Sequence, residues 1–317
     1  MINCADQFAL IAQPLIMEAA ILLRCSAPPR LSEGAANVPG MKYGFVLPSG
    51  NASDAADLAV EAERAGWDGF FVWEPTWGVD AWVMLTAAAM RTTTIRLGTM
   101  VTPLPKRKPW EVASQAATLD NLSGGRVILS VGLGAPDPRF WIFEDDPGRK
   151  VRAEMMDEGL EMLSLMWRGE AFTFEGNHYH AKRPEMMIPP PTTQQPRIPT
   201  WVVGLWPAPR SMRRSGRWDG WLPNFKTPGA GVDRPNREQL AQGVAWLREE
   251  RAGLGLTMEG YDVVMEGNTT PGDEAVAEVQ EWERAGATWW LEANWEVAAE
   301  SSVQFSRERL RAGPPRP

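Results

Sequence analysis

Few residues in this chain of 317 are suited to acid–base or metal chemistry. The two histidines, His178 and His180, stand one residue apart in the run H-Y-H. That spacing imitates a pair of metal ligands, but no third or fourth partner accompanies it, and alternate residues of a half-exposed hairpin explain it better. No metal is expected. Glu74, with Glu292 or Asp137, offers the two carboxylates that a glycosidase needs, although the surroundings are apolar and make a poor sugar platform. Acyl transfer by serine lacks both a G-x-S-x-G turn and a histidine base. A site without reactive groups of its own usually borrows a cofactor.

These residues must be positioned by the elements around them, and the clearest of those elements span Ile95 to Gly134. Two apolar β-branched runs, Ile95 to Val101 and Val127 to Val131, bracket a helix that starts at Pro109 and stops at Ser123-Gly124-Gly125. Proline just inside the start and glycine just past the end mark both boundaries chemically. Strands that are apolar nearly throughout belong to a parallel sheet covered on both faces, so the stretch reads as a right-handed βαβ unit.

The same alternation runs on both sides of it. Strands are expected at Lys42 to Leu47, Gly69 to Trp73, Thr200 to Gly204, Asp219 to Leu222, Gly260 to Glu266 and Ala287 to Leu291. Helices are expected at Ala52 to Ala65, Asp80 to Arg91, Val151 to Trp167, Pro209 to Ser215, Asn236 to Ala252, Asp273 to Ala285 and Ser301 to Ala312. Asn51 or Ser53 would cap the first helix. Phe172 to His180 alternates around Gly176-Asn177, a hairpin excursion. Eight strand–helix pairs in one series favour a closed (β/α)8 TIM barrel over an open sheet, and no G-x-G-x-x-G follows the first strand.

Active sites of such barrels lie at the carboxyl ends of the strands. The candidates there are Pro48 and Ser49 after the first strand, Trp73, Glu74 and Trp77 after the second, Met100 to Pro103 after the third, and Gly132, Gly134 and Asp137 after the fourth. Gly204, Leu205, Trp206 and Arg210 follow the fifth, Pro223 and Asn224 the sixth, Gly267 and Asn268 the seventh, and Glu292 and Asn294 the eighth. The loop from Ala135 to Arg149 is too long for a simple connection and reads as functional or flexible. Lys106, Arg107 and Lys108 are either a basic loop facing an acidic ligand or a solvated charge run.

Composition narrows the partners. A net charge of -8 and a pI near 5.1 leave no diffuse basic surface for nucleic acid or a membrane. Cys4 and Cys25 form no disulfide framework or CxxC site, which fits a reducing, cytoplasmic setting. Trp is abundant, 16 residues against 3 Tyr, and rings near strand ends would suit a flat, hydrophobic small molecule, the others serving as core filler. Residues 1–40 carry a broken apolar run and a Pro-, Ser- and Gly-rich linker, and they are expected to lie outside the fold as an N-terminal extension. The barrel is expected over 41–312 as a single domain, with a tail at 313–317.

The run LGTMVTPLPKRKPWEVASQAATLDNLSGGRVILSVGLG resembles the signature region of the luciferase-like oxidoreductases, which use FMN or the deazaflavin coenzyme F420. AERAGWDGFFVWE, RAEMMDEGLEMLSLMWRGEAFTFEGNHY, RRSGRWDGWLPN and AGATWWLE extend the likeness in order from about Met41 to Trp295. The resemblance implies a barrel whose mouth holds the ring, with a bulge and a cis Met100–Val101 peptide pressing on one ring face. It implies a catalytic role for Glu74 and a cofactor-binding role for Trp73, Met100, Val101, Gly132, Gly134, Gly204, Leu205, Trp206, Arg210 and Ser211. The phosphate would sit at the helix start near Arg210 and Ser211. Trp77, Asp137 and Asn224 would border the substrate. Some deazaflavin-dependent relatives carry a proton-transferring histidine directly after the acidic residue, whereas this chain has Pro75, which puts that chemistry in doubt.

Between the two cofactors, TPLPKRKPWE and the compact loops lean toward F420 over FMN. The expected function is hydride transfer, or oxygenation if the cofactor is FMN, on a small hydrophobic substrate. The competing expectation is a protein that binds the cofactor without turnover. Relatives often pair through helices on one side, so a homodimer is expected.

Overall fold

The computed structural model describes residues 40–182, 191–226 and 236–317. All of the expected N-terminal extension except Gly40 lies outside the described residues.

Strands and helices alternate from the first described residues. β1 (Lys42–Leu47) leads to α1 (Ala52–Arg64), and β2 (Gly69–Val72) to α2 (Ala81–Ala89). β3 (Arg96–Thr99) and the two-residue β4 (Thr102–Pro103) precede α3 (Pro109–Ser123), and β5 (Val127–Gly132) precedes α4 (Arg149–Met166). The hairpin β6 (Phe174–Glu175) and β7 (His180–Ala181) then departs from the series. It resumes with β8 (Thr200–Trp206), α5 (Pro209–Gly216), β9 (Gly220–Phe225), α6 (Arg237–Gly253), β10 (Asp262–Gly267), α7 (Asp273–Arg284), β11 (Trp289–Glu292) and α8 (Ala299–Arg311).

Local chemistry sets the boundaries. The Asn51 side chain accepts from Ser53 N at 2.8 Å and Asp54 N at 3.1 Å, while Asp54 accepts from Asn51 N at 2.9 Å, a reciprocal cap that starts α1. Asp80 caps α2 by accepting from Val83 N, and Asn236 caps α6 by accepting from Glu238 N and Gln239 N. Pro109 occupies the first turn of α3, and Gly124, at φ 68°, ends it in the left-handed conformation. β9 runs past the expected Leu222 through Pro223 to Phe225. Its pairing with β10 involves only Gly220 and Trp221, so beyond them β9 is paired on the β8 side alone, the edge setting in which a proline is tolerated.

All neighbours around the ring are parallel, in the order β1, β2, β3, β5, β8, β9, β10, β11, and pairing of Lys42 with Trp289 closes it. This is a closed eight-stranded (β/α)8 barrel. Its lumen is packed with aromatic rings: Phe71 stacks on Trp201 at 5.3 Å, and Trp201 meets Trp289 edge-on at 5.1 Å. Room for Phe71 exists because Gly44, Gly69 and Gly98 surround it; a Cβ at any of them would come within 2.9 Å of its ring. A second apolar layer lies between strands and helices, where Trp167, Trp221 and Trp290 are fully buried. Much of the tryptophan content is therefore core, and the lower half of the barrel is solid.

Candidate active site

Strand three does not run straight to its end. From the pair Gly98–Ile128 to the pair Thr102–Val131, β3 and β4 use four steps where β5 uses three. The extra residue is a bulge at Met100 and Val101, and the peptide between them is cis. Both side chains are thereby brought to the carboxyl mouth of the barrel. There they line a cavity of about 820 Å³, within the roughly 300–1,000 Å³ common for small-molecule sites.

Val203, Leu222 and Val264 form its apolar floor, and Trp73, Phe140, Phe225 and Trp295 form much of its rim. Of the residues expected at the site, Trp73, Glu74, Met100, Val101, Gly134 and Asn224 line this cavity. Gly132 lies just beneath, where a Cβ would stand 3.3 Å from both Val101 and Val203, so only hydrogen lets those two side chains approach.

Glu74 is 7% exposed. Its Oε2 accepts from Thr102 Oγ1 at 2.5 Å, and its Oε1 pairs with Arg107, whose Nη2 also donates to Gln115 at 2.7 Å. Thr99 Oγ1 lies 2.9 Å from Thr102 Oγ1 and 3.3 Å from the Ser130 carbonyl, extending the chain into the barrel wall. Burial pushes the Glu74 carboxyl above its ordinary range, against the pull of Arg107 and the Thr102 hydroxyl. Arg107 is thus the counter-ion of Glu74. Lys106 is committed elsewhere: its Nζ donates to the Phe140 carbonyl, lies 3.3 Å from Glu144 and sits 3.7 Å over the Trp141 ring. With Arg152, which donates to the Gly134 carbonyl at 2.6 Å and pairs with Asp146 at 3.1 Å, it pins the long β5–α4 loop across the mouth.

A second cavity, about 650 Å³, lies between α4 and the start of α5, and Arg210 and Ser211 line it. Leu133 borders this cleft and Gly134 the first cavity, so the two adjoin along one loop. Arg149, Lys150, Arg210, Arg213, Arg214 and Arg217 face it against two carboxylates, Glu154 and Asp157. Asp157 is taken by Arg214 at 2.8 Å, and Arg213 pairs with Glu250 at 3.4 Å. Arg149, Arg210 and Arg217 have no ionic partner among the described residues. Ser211 Oγ accepts from Leu205 N at 2.9 Å, which leaves its own hydrogen free to donate.

Other expected site residues are placed differently. Gly204 turns away from the cavity: a Cβ there would meet Trp221 and Ser215 at 2.6 and 2.7 Å. Trp206 packs edge-on against Trp246, toward α6. Trp77, 69% exposed, lines a neighbouring cleft of about 430 Å³ with Phe143. Asp137 caps a single turn at Pro138–Phe140 and pairs with Arg139 at 2.6 Å, outside the cavity lining. Glu292 points into the scaffold, buried against Arg309 at 3.1 Å and accepting from Thr269 N at 2.6 Å. His178 bonds Glu154 at 3.1 Å on the hairpin.

Thr102 falls within the expected run Met100 to Pro103, whereas Glu266 was not singled out from the sequence. Glu266 is the last but one residue of β10 and faces the cavity, where Trp295 Nε1–H donates to its Oε1. The strand-end criterion that selected Glu74 applies to it equally; choosing residues after the strand, Gly267 and Asn268, passed over it.

The model of the luciferase-like monooxygenase family matches residues 35–313. The chain belongs to this family. It is 34% identical over 194 residues to an uncharacterized protein of Mycobacterium tuberculosis, covering 61% of this chain and 62% of that one. The chain thus spans about three-fifths of the length of that relative. A putative coenzyme F420-dependent oxidoreductase of the same organism is 30% identical over 242 residues, covering 67% and 69% of the two chains. Among solved structures, an F420-dependent secondary alcohol dehydrogenase in complex with an F420-acetone adduct superposes with a TM-score of 0.67. The identity is 16%, with 86% of this chain and 99% of that one covered, a likeness that shows the barrel fold.

Proposed function

We propose that this luciferase-like chain is an oxidoreductase that passes hydride between coenzyme F420 and a small, hydrophobic organic substrate. The observation that carries the choice is the pairing of a mostly apolar cavity with an adjoining cationic cleft. F420 joins a flat tricyclic deazaflavin to a phosphate and an acidic oligoglutamate tail, whereas FMN ends in one phosphate. Arg149, Arg210 and Arg217 exceed what a single phosphate requires, and they stand out in a chain whose net charge is -8.

The residues present fit the group. Met100, Val101 and Val203 offer an apolar surface to a ring face, and the hydrogen of Gly132 keeps that surface close-packed. Ser211 and the uncapped start of α5 suit the phosphate. When bound, the deazaflavin would supply the hydride donor and acceptor. The protein's part is to exclude water with Trp73, Phe140 and Trp295, and to hold the Glu74 carboxyl, both of whose oxygens are engaged, in a fixed position.

The test is a fluorescence titration of the purified protein with F420, with its ring-bearing fragment lacking phosphate and tail, and with FMN, followed by turnover with a substrate panel. F420 is expected to bind tightest. FMN binding tighter than F420 overturns the cofactor assignment, and F420 binding without turnover of any substrate favours a carrier over an enzyme.

A further inference from the structure

Three ionisable side chains line the main cavity: Glu74, Lys106 and Glu266. Glu74 is fastened by Arg107 and Thr102, and Lys106 by Phe140, Glu144 and Trp141. Among the described residues Glu266 has no cationic partner, and its one hydrogen bond there is from the indole N–H of Trp295. The cavity it faces is mostly apolar, lined by Val203, Leu222, Phe225 and Val264, with Asn224 and Ser49 among its few neutral polar residues. In the ring order β2 and β10 are separated by β1 and β11, so Glu74 and Glu266 enter the cavity from different walls. One carboxyl is anchored, and the other is free to gain or lose a proton.

We propose that Glu266 is the proton-transfer residue of this cavity, taking the hydroxyl proton of an alcohol substrate as the carbinol carbon gives up hydride, and returning it to the carbonyl oxygen in the reverse direction. The inference rests on the coenzyme reading above. In the forward direction the C–H electron pair leaves as hydride to the oxidised deazaflavin. The O–H pair becomes the second C–O bond, and the proton goes to the Glu266 carboxylate. Ketone, reduced coenzyme and protonated Glu266 balance the step.

Three features suit Glu266 to this role. It opens onto the cavity and is partly buried, and desolvation there pushes its carboxyl above the ordinary glutamate range, opposed by the Trp295 hydrogen bond. A base whose affinity for protons is raised toward working pH transfers them most effectively. Trp295 holds one carboxyl oxygen and leaves the other available to a ligand. Finally, Pro75, which follows Glu74, carries no proton, so that position cannot serve.

Two measurements decide it. In the protein without coenzyme, the indole ¹⁵N–¹H signal of Trp295, assigned with Trp295→Phe, is expected to titrate with a midpoint above the ordinary glutamate value of about 4.3. The transition should be absent in Glu266→Gln. With F420 and a panel of secondary alcohols, cyclohexanol and 1-phenylethanol among them, Glu266→Gln should bind F420 within about twofold of wild type. Its kcat should fall about 100-fold or more, and the acidic limb of the pH profile, where protonation of Glu266 silences the wild type, should disappear. Glu266→Asp, which retains a carboxyl, should keep that limb at reduced kcat, separating chemistry from folding. A flat Trp295 signal in the wild type, an unchanged kcat in Glu266→Gln, or a wild type that binds F420 yet oxidises none of the alcohols overturns the assignment. A wild type that does not bind F420 overturns the coenzyme reading itself.

Discussion

Arg107 delivers its guanidinium to the Glu74 carboxylate from 33 positions away in the chain, across the edge of the cavity. The contact joins the loop after β2 to the turn that follows β4, so an ion pair ties two sides of the mouth together. Removing the cation leaves a buried carboxylate without its partner, which costs more than the pair contributes. Arg107→Ala should destabilise the protein by about 2–3 kcal/mol at pH 7.5, less than for a fully dry pair because Arg107 is partly exposed. The folded-state pKa of Glu74 is already raised, and losing Arg107 raises it further. The penalty therefore grows as pH rises through the wild type's folded-state pKa, which lies above the ordinary glutamate value, and shrinks as pH falls below it, where Glu74 is protonated in both proteins. Urea melts of Arg107→Ala and wild type at pH 5 and 7.5 check this, and a deficit that does not depend on pH would contradict it.

Gly132 tests the wall of the site without touching its charges. A methyl group there would stand 3.3 Å from Val101 and from Val203, so both side chains must shift by a few tenths of an ångström. Gly132→Ala should change the melting temperature little and weaken F420 binding about three- to tenfold, roughly 0.7–1.4 kcal/mol. Equal affinity in variant and wild type would mean that Val101 and Val203 do not border the ring.

The fold was legible because its signals are local. Asn51, Asp80 and Asn236 cap helices within three residues of themselves, and Pro109 and Gly124 bracket α3 by their own backbone preferences. The site was legible only in part, because orientation at a strand end turns on a one-residue parity that wholly apolar strands do not display. Val203 faces the cavity and Gly204 faces α5; Glu266 faces the cavity, while Glu292, on the adjacent strand, faces the scaffold. Partners distant in the chain were equally hidden, as with Arg107 for Glu74 and Arg309 for Glu292. The arginines of the cationic cleft come from α4, α5 and the residue just after α5, and only the tertiary fold assembles them.

That cleft has a direct test. Replacing both Arg210 and Arg217 with Ala should weaken F420 binding about tenfold or more, while leaving binding of the tail-less ring fragment unchanged. Charge attraction at a solvent-open cleft is screened, so raising salt from about 0.05 to 0.5 M should narrow the difference between the two ligands. Loss of affinity for both ligands alike would place the arginines against the ring instead.

Glu292 and Arg309 should behave as scaffold. At 2% and 5% exposure they form a buried pair, with Thr269 and the Trp290 indole also donating to the carboxylate. Arg309→Met removes one charge and strands the other, and should cost about 3–5 kcal/mol of stability. At temperatures where the variant remains folded, its affinity for F420 should match wild type. A loss of affinity without a loss of stability would return Glu292 to the candidate site.

Glu63, on α1, shows how a carboxylate can hold a turn in place. It accepts from the N–H groups of Thr93, Thr94 and Ile95 at 2.9, 2.6 and 2.9 Å, fixing the approach to β3. Burial alone would raise its pKa, but those backbone donors and the Thr94 hydroxyl outweigh it and hold the value down at about 2, against 4.5 for the free side chain. A folded-state pKa below the unfolded one means that the stabilisation is fully present above about pH 4.5 and is lost as pH falls toward 2. Because the group is partly solvated, Glu63→Gln should cost only about 1–2 kcal/mol at pH 7. The gap between variant and wild type should be constant from pH 7 to 5 and should close progressively at pH 4 and 3. Urea denaturation across that series reads it directly, and a gap that persists at pH 3 would show that the amide, through its own oxygen, fails for steric reasons and not for want of charge.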